Sequence, residues 1–290
     1  MKKVLIIGSK GMAGHVLTTF LKESQNFIIA DISRNDDFFD SVYKADVTDT
    51  RKLDAIIDEC APDIVVNCIG ILNKDAEDNP DKTIFLNSYL PHFLAKKGDR
   101  LGYKLIHIST DCVFSGKAGG YAETSITDGI GFYAKSKALG EVNYGQHLTI
   151  RTSIIGPELK KEGIGLFNWF MRQTGEIDGY TNAYWTGVTT LVLAKAILSG
   201  IVNDFHGVHH LVYDKKISKY EMILIFQNEF HKNDISIKPN DQYRVDKSLV
   251  VTRNEKLFDV PGYEVMFNEM HNWMLVHKEF YQRYFIDNRS

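Results

Sequence analysis

The sequence predicts an α/β chain: a doubly wound parallel sheet with a smaller C-terminal region beside it. Three observations carry that reading. Short, wholly apolar, β-branched runs recur through the first half of the chain, as strands buried on both faces require. Helical-looking segments separate them, so that strand and helix alternate five times by about residue 152. The first run opens directly into a glycine-rich turn.

With 290 residues the chain can bury a full core, as one large domain or two smaller ones. Its 44% hydrophobic and 24% charged residues lie near the globular average and give no sign of disorder. A net charge of −3 without a basic cluster offers no surface to nucleic acid or an anionic membrane. Three cysteines, Cys60, Cys68 and Cys112, are an odd number without metal-ligand spacing, which predicts a reducing compartment, no disulfide framework and no metal site. The apolar run after Met1-Lys2-Lys3 stops at Gly8, too early for a signal peptide. No stretch approaches the length of a bilayer span, so the expectation is a cytoplasmic protein.

In chain order, Val4-Leu5-Ile6-Ile7 is the first strand. Gly8, Gly11 and Gly14 follow, and residues 16–21 continue with helical character. Strand, glycine turn and helix is the context of a dinucleotide fingerprint, because glycines permit a tight turn and let backbone N–H groups approach a pyrophosphate at the helix's positive end. The spacing departs from G-x-G-x-x-G by one residue. Residues 27–30 form a second strand ending on Asp31, whose carboxylate can accept hydrogen bonds from an adenine-ribose diol. Lys10, Ser33 and Arg34 favour a 2′-phosphate there instead. Residues 46–49 precede a helix to about residue 60, with Thr48 or Asp49 as its N-cap. Residues 63–68 are a third buried strand, and residues 67–70 lie at its carboxyl end, where ligands gather in open α/β sheets.

A helix over about residues 80–97 carries Asn87 among apolar neighbours, which predicts a hydrogen bond from its side chain to nearby backbone. Residues 104–111 form the fourth strand, ending in Ser109, Thr110 and Asp111, and residues 147–151 the fifth. Beyond residue 152 the rhythm changes. Residues 165–171 read as an aromatic-rich helical piece, 180–187 as a loop, 189–199 as a helix and 207–212 as a sixth strand returning to the sheet. Later segments show no clear alternation, and no internal repeat is present.

Tyr133 and Lys137 stand one helical turn apart at the start of a helix, so they project from the same face and can point into one pocket. A neighbouring ammonium lowers a phenol's pKa and suits it to proton transfer near neutrality. A glycine-rich loop joins the fourth strand to this helix, so Thr110 and Tyr133 can converge. Both could donate to one oxygen, a small oxyanion site for ketone reduction in which Tyr133 releases its proton.

Gly8, Gly11, Gly14, Thr110, Tyr133 and Lys137, in that order and on those elements, resemble the extended short-chain dehydrogenase/reductase superfamily, whose sheet is Rossmann-like. Within it, Ser109-Thr110-Asp111-Cys112-Val113-Phe114-Ser115-Gly116 looks like the S-T-D-x-V-F-x-G stretch of dTDP-4-dehydrorhamnose reductases. Phe85-Leu86-Asn87 with Pro91, the helix opening at Tyr133, and Arg151-Thr152-Ser153 are similar as well. The likeness is good to about residue 156 and loose beyond.

That resemblance implies an NAD(P)-binding domain over residues 1–153 and a mainly substrate-binding region over 154–290, with some segments returning to the main sheet. It assigns Thr110 to the substrate carbonyl, Tyr133 as proton donor, and Lys137 to the nicotinamide ribose and the Tyr133 pKa. The implied cofactor is NADPH, with NADH also usable. Gly8, Lys10, Gly11, Met12 and Gly14 would hold it at the turn, Asp31 and Arg34 at the ribose, and Asp46 and Val47 near the adenine. Asn67, Cys68 and Gly70 would line the nicotinamide end, with Tyr133 and Lys137. Asp111, Val113, Arg151, Trp169 and Arg253 become the candidate substrate contacts, the two arginines as partners for a diphosphate. The implied activity is reduction of the 4-keto group of a nucleotide-linked 4-keto-6-deoxy sugar on the way to a surface polysaccharide. dTDP-4-keto-rhamnose is the first candidate and a UDP-linked 4-keto-6-deoxy-N-acetylhexosamine the second, and a homodimer is compatible with the family.

Rival readings rest on single positions. Dehydratases of the superfamily carry a Glu after the Thr-Asp pair, and here Cys112 stands in its place. An epimerase-reductase would pair Cys112 with a later His, and none occurs between His147 and His206, so Cys112 reads as packing or lining. The regulatory β subunit of methionine adenosyltransferase shares the fold without catalysing a reaction. The joint presence of Thr110, Tyr133 and Lys137 favours an enzyme.

Overall fold

The computed structural model describes residues 1–35 and 37–285. β1 (Lys3–Ile7) runs into α1 (Met12–Ser24), followed by β2 (Ile28–Ser33) and the short β3 (Tyr43–Lys44). α2 (Thr50–Cys60) leads to β4 (Ile64–Asn67), and α3 (Asn73–Asp78) to α4 (Pro80–Ile84), a π-helical turn (Phe85–Tyr89) and α5 (Leu90–Leu101). β5 (Lys104–Thr110) ends in a 3-10 turn (Asp111–Val113), and α6 (Gly131–Leu139) precedes β6 (Leu148–Thr152). Beyond lie β7 (Ile154–Ile155), α7 (Leu166–Met171), β8 (Gly175–Trp185), β9 (Val188–Thr189), α8 (Thr190–Val202) and β10 (Gly207–His210). β11 (Ile217–Ser218), α9 (Lys219–Glu229), β12 (Ile235–Asp246), α10 (Tyr263–Val276) and α11 (Lys278–Phe285) complete the described chain.

The main sheet has seven strands in the order β10-β6-β5-β4-β1-β2-β3, and every pairing in it is parallel. This is the doubly wound sheet that the apolar runs predict. Successive residues of a strand point to opposite faces. Val4, Ile6 and Val66 accordingly pack on one side with α1 and α8, while Leu5, Ile7 and Val65 pack on the other with α2 and α5. Full burial of each such side chain contributes about 1.5–3 kcal/mol. Chain order reverses between β1 and β4, which opens a crevice at their carboxyl ends. Asp49 proves to be the N-cap of α2, its carboxylate accepting the Lys52 N–H at 3.0 Å.

Two expectations fail in the second half. Residues 180–187, read as a loop, lie mostly in β8, and the stretch without visible alternation holds β12. β8 pairs with β11 and β12 in a small three-stranded sheet. Gly175, Asp178, Gly179 and Asn182 are poor strand formers and hide β8 in the sequence, yet Ile177, Ala183 and Trp185 are buried along it. Among the described residues β12 pairs only with β8, and Pro239 is tolerated at that edge. A third difference bears on the site: β2 extends to Ser33, so Asp31 lies inside the strand. Among the described residues no helix is long and apolar enough to cross a membrane.

Candidate active site

The turn after β1 is close-packed. Gly8 holds a φ of 86°, a left-handed conformation that glycine adopts without strain. A Cβ on Gly14 would lie 2.1 Å from the Gly8 carbonyl oxygen. Gly11 opens α1 without any side-chain cap, so the first-turn N–H groups have no side-chain acceptor there. A bare positive helix end behind a turn that admits no side chains fits a dinucleotide pyrophosphate. Gly8 also abuts Cys68 and Ile69 just past β4, which joins the turn to the next part of the crevice. Met12 faces Gly165 at the entry to α7.

At the corner beyond β2 the structure corrects the expectation for Asp31. Its side chain is fully buried, and one carboxylate oxygen accepts the Val42 N–H at 3.3 Å and lies 3.9 Å from Lys22 Nζ. It lies two residues short of the strand end, and its other carboxylate oxygen is buried without a hydrogen-bond partner among the described residues. Arg34 is exposed there, and Lys10 hydrogen-bonds the Asn35 carbonyl, with its ammonium 5.2 Å from the centre of the Phe39 ring. Asp46 spends one carboxylate oxygen on the Thr48 N–H and hydroxyl, bonds that hold its pKa low. Val47 is buried in the core with Leu53.

Asn67 ends β4. Its Oδ1 accepts the Ile69 N–H at 3.1 Å and its Nδ2 faces His107 Nδ1 at 3.3 Å. Burial pushes the Cys68 thiol up to about 12. Gly70 is exposed beside Asn87 Oδ1. Asn87 sits in the π-helical turn and fulfils its expectation twice, accepting the Ile71 N–H at 2.9 Å and donating to the Ile71 carbonyl at 3.0 Å. It also donates to Ser136 Oγ at 3.1 Å on α6. A Cβ on Gly140 would come within 1.8 Å of the Asn87 carbonyl oxygen, so α6 rides directly on the π-helical turn.

That docking sets Tyr133 and Lys137 against the end of β5. Thr110 Oγ1 accepts the Cys112 N–H and donates to Asp111 Oδ1, both at 3.1 Å. The expected lowering of the Tyr133 pKa by Lys137 does not occur. Burial pushes the phenol up, with Cys112 and Asp111 acting in the same sense, while the Thr110 hydroxyl beside it pulls the other way. Lys137 is turned instead to the Ile108 carbonyl, 2.7 Å away, with His107 Nε2 at 3.4 Å. Burial lowers Lys137 to about 8 against the opposing pull of Glu141, and it holds His107 well below its ordinary value, so the imidazole is neutral. Tyr133 thus keeps its proton near neutrality, as a donor must.

Two cavities meet here. The larger, about 450 Å³, includes Asp111, Trp169, Tyr184 and Lys219 in its wall; the smaller, about 250 Å³, includes Tyr133 and Glu77. Cys112 and Lys247 belong to both, with Lys247 Nζ 3.4 Å from the sulfur. Burial and the neighbouring Asp111 push the Cys112 thiol up to about 11.

Of the five substrate contacts drawn from the sequence, Asp111 and Trp169 reach the larger cavity. Val113 is fully buried with Phe114 and Leu249 and opens on neither cavity. Arg151 is buried and committed: Nε and an amino group bind the Glu141 carboxylate at 2.8 and 2.5 Å, and the other amino group faces His210 Nε2 at 3.0 Å. Arg253 stands beside Gly207 at the amino end of β10, the wrong edge of a parallel sheet for this site. Sequence reasoning missed Lys219, Lys247, Tyr180 and Tyr243 as pocket residues. One signal was available. Ser218 and Glu221 form a capping box, and a lysine directly inside it at Lys219 sits against the helix dipole.

A family model described as "RmlD substrate binding domain" matches residues 1–282. The probable low-salt glycan biosynthesis reductase Agl14 of Haloferax volcanii is 32% identical over 139 residues, 47% of this chain and 46% of its own length. The chain thus spans about half the length of that curated relative. Methionine adenosyltransferase 2 subunit beta of Xenopus tropicalis is 22% identical over 82% of this chain and 75% of its own. The crystal structure of dTDP-4-dehydrorhamnose reductase from Bacillus anthracis in complex with NADP superposes with a TM-score of 0.78 at 20% identity, covering 94% of this chain and 99% of that one. At that identity the likeness establishes the shared fold.

Proposed function

The chain belongs to the RmlD substrate binding domain family, and from that premise we propose that it is an NADPH-dependent reductase of the 4-keto group of a nucleotide-linked 4-keto-6-deoxy sugar. The observation that carries the reading is the meeting of Thr110, Tyr133 and Lys137 at the carboxyl edge of the sheet, beside two cavities and next to a turn that fits a pyrophosphate. Residues 1–153 hold the dinucleotide and residues 154–290 supply most of the substrate wall. A reduced nicotinamide bound at this edge supplies the hydride. Thr110 and Tyr133 donate to the carbonyl oxygen, and the phenol, its pKa raised by burial, delivers the proton as negative charge develops. Lys137, anchored by the Ile108 carbonyl and flanked by neutral His107, restores the phenol's proton and binds the nicotinamide ribose. With Asp31 buried, Lys10 and Arg34 are the groups left for a 2′-phosphate, which supports NADPH over NADH.

Cys112 does not support an epimerase-reductase. Its thiol is held protonated and its partners are Lys247, Asp111 and the Thr110 hydroxyl, without an imidazole. The long match to the methionine adenosyltransferase subunit supports a second reading, a dinucleotide-binding partner protein. The test is to supply dTDP- and UDP-linked 4-keto-6-deoxy sugars with NADPH, follow loss of reduced nicotinamide absorbance, and determine the C4 configuration of the product by NMR. Turnover supports the reductase. Cofactor binding without turnover of any such sugar hands the site to the second reading.

A further inference from the structure

We propose that Lys219 and Lys247 form the anion subsite that takes the diphosphate of the substrate, an inference that rests on the sugar-nucleotide reading above and replaces Arg151 and Arg253 in that role. Lys219 opens α9 and Lys247 directly follows β12, so the small sheet aims both lysines into the larger cavity.

Neither lysine makes a hydrogen bond or ion pair with a carboxylate among the described residues. Among the described residues Lys219 makes no hydrogen bond and no ion pair; its neighbour is the Trp185 ring, with Nζ 5.1 Å from the centroid. It stands in the first turn of an eleven-residue helix, at the positive end of the dipole, where a cation is disfavoured and an anion is attracted. Burial lowers it to about 8, so holding it charged carries a cost that a bound anion would offset. Lys247 donates to Cys112 Sγ at 3.4 Å, and Cys112 and the Asp111 carboxylate together raise its pKa against burial. One buried carboxylate, Asp111, faces both ammonium groups and acts to raise the pKa of each, so two cations share a single counter-charge. Asp111 is buried, pushed up by that burial and hydrogen-bonded by Thr110, while Asp178 is exposed at the cavity's side.

Position then identifies the anion. Lys247 borders the small cavity that holds Tyr133 as well as the large one, so a group between the two lysines lies close to the reacting carbonyl. In a nucleotide-linked hexose the diphosphate lies across the sugar ring from C4. On the outer side of the large cavity Tyr180 and Tyr243 place their rings 5.2 Å apart, both well exposed, a surface on which a nucleobase can pack. Carbonyl donors, two cations and an aromatic pair thus follow the order of sugar, diphosphate and base. A neutral sugar would leave two ammonium groups sharing the one Asp111 carboxylate.

The test is calorimetric titration of the NADP-loaded protein with dTDP, UDP, thymidine and uridine. Lys219→Gln and Lys247→Gln should each weaken dTDP or UDP binding about tenfold, the effect of losing one charge-assisted hydrogen bond, while Lys→Arg at either position retains most of it. Affinity for NADPH should not change, which also shows that the variants are folded. Diphosphate binding by the wild type should weaken as pH rises through about 8, where Lys219 loses its proton. The proposal is overturned if the Gln variants bind dTDP and UDP as the wild type does, or if the nucleosides bind as tightly as their diphosphates. A rise in KM confined to sugars carrying their own carboxylate, with dTDP and UDP binding unchanged, overturns it too. Lysine-dependent dTDP binding without reduction of any keto sugar leaves this subsite standing and removes only the reductase reading.

Discussion

Replacing Arg151 with Met separates a structural arginine from a substrate-binding one. The guanidinium and the Glu141 carboxylate are almost wholly buried, 3% and 8% exposed, and are joined by two hydrogen bonds. With Arg151 gone, Glu141 keeps the Ser109 hydroxyl at 2.6 Å and only Lys137, to which it makes no hydrogen bond, to balance its charge, while His210 loses the group facing its Nε2. Breaking a buried pair from one side costs about 3–5 kcal/mol. Unfolding entropy of about 2 cal/mol/K per residue gives about 0.6 kcal/mol/K for a chain of this length, so Tm should fall by about 5–8 °C. Differential scanning calorimetry reads that fall, and KM for the sugar nucleotide, measured well below the transition, should stay within about twofold of wild type. Arg151→Met with Glu141→Leu should recover much of the loss, because no charge is then left buried alone. A single variant that melts within about 1 °C of wild type but raises KM tenfold would refute the assignment and return Arg151 to the substrate.

Tyr133→Phe should lower kcat by about two to four orders of magnitude with NADPH affinity unchanged, the range for losing a positioned general acid; near wild-type turnover removes Tyr133 from the chemistry. Because Lys137 is lowered to about 8, kcat should decline as pH rises through that value, and Lys137→Arg, if folded, should abolish this decline; a profile flat to about pH 10 speaks against a charged Lys137 in the reaction. The linked effect on stability has a definite sign: between about 8 and the ordinary 10.5 the unfolded chain binds more protons at this group, so its contribution to stability rises with pH across that window. Asp31→Ala should leave the ratio of NADPH to NADH affinities as it was, since the carboxylate is fully buried; a shift toward NADPH in paired Kd measurements would mean that it reaches the ribose.

What could be read from the sequence was what local spacing dictates. The β1 run, the glycine turn and the Tyr133/Lys137 pair each sit within one or two turns of chain, and the parallel sheet follows from apolar strands that cannot face water on either side. Asp31 failed by two residues: Ile32 and Ser33 continue the strand, and a strand end is weakly marked when the next residues are still compatible with pairing. Arg151 failed because a cation near a site has no visible partner until the fold brings Glu141 and His210 to it. The lysines of the large cavity were hidden more deeply. They depend on β8 and β12, which pair across about sixty residues of chain with a register shift between Asn240 and Arg244, and carry glycine, asparagine and proline where a strand would ordinarily be β-branched.

The π-helical turn at Phe85–Tyr89 makes the placement of α6 a matter of counting. A π-turn holds one residue more than α-helical winding would, and here that surplus presents Asn87 to Ile71 and Ser136 and its carbonyl to Gly140. Deleting a single residue between Ile84 and Leu90 would restore regular winding with α4 and α5 kept nearly in phase, and would remove the surplus itself. The Ile71 clamp and the close seat of α6, which both depend on that surplus, would then be lost together. Chain length within this one turn, more than the chemistry of any side chain in it, sets the angle at which Tyr133 meets the end of β5.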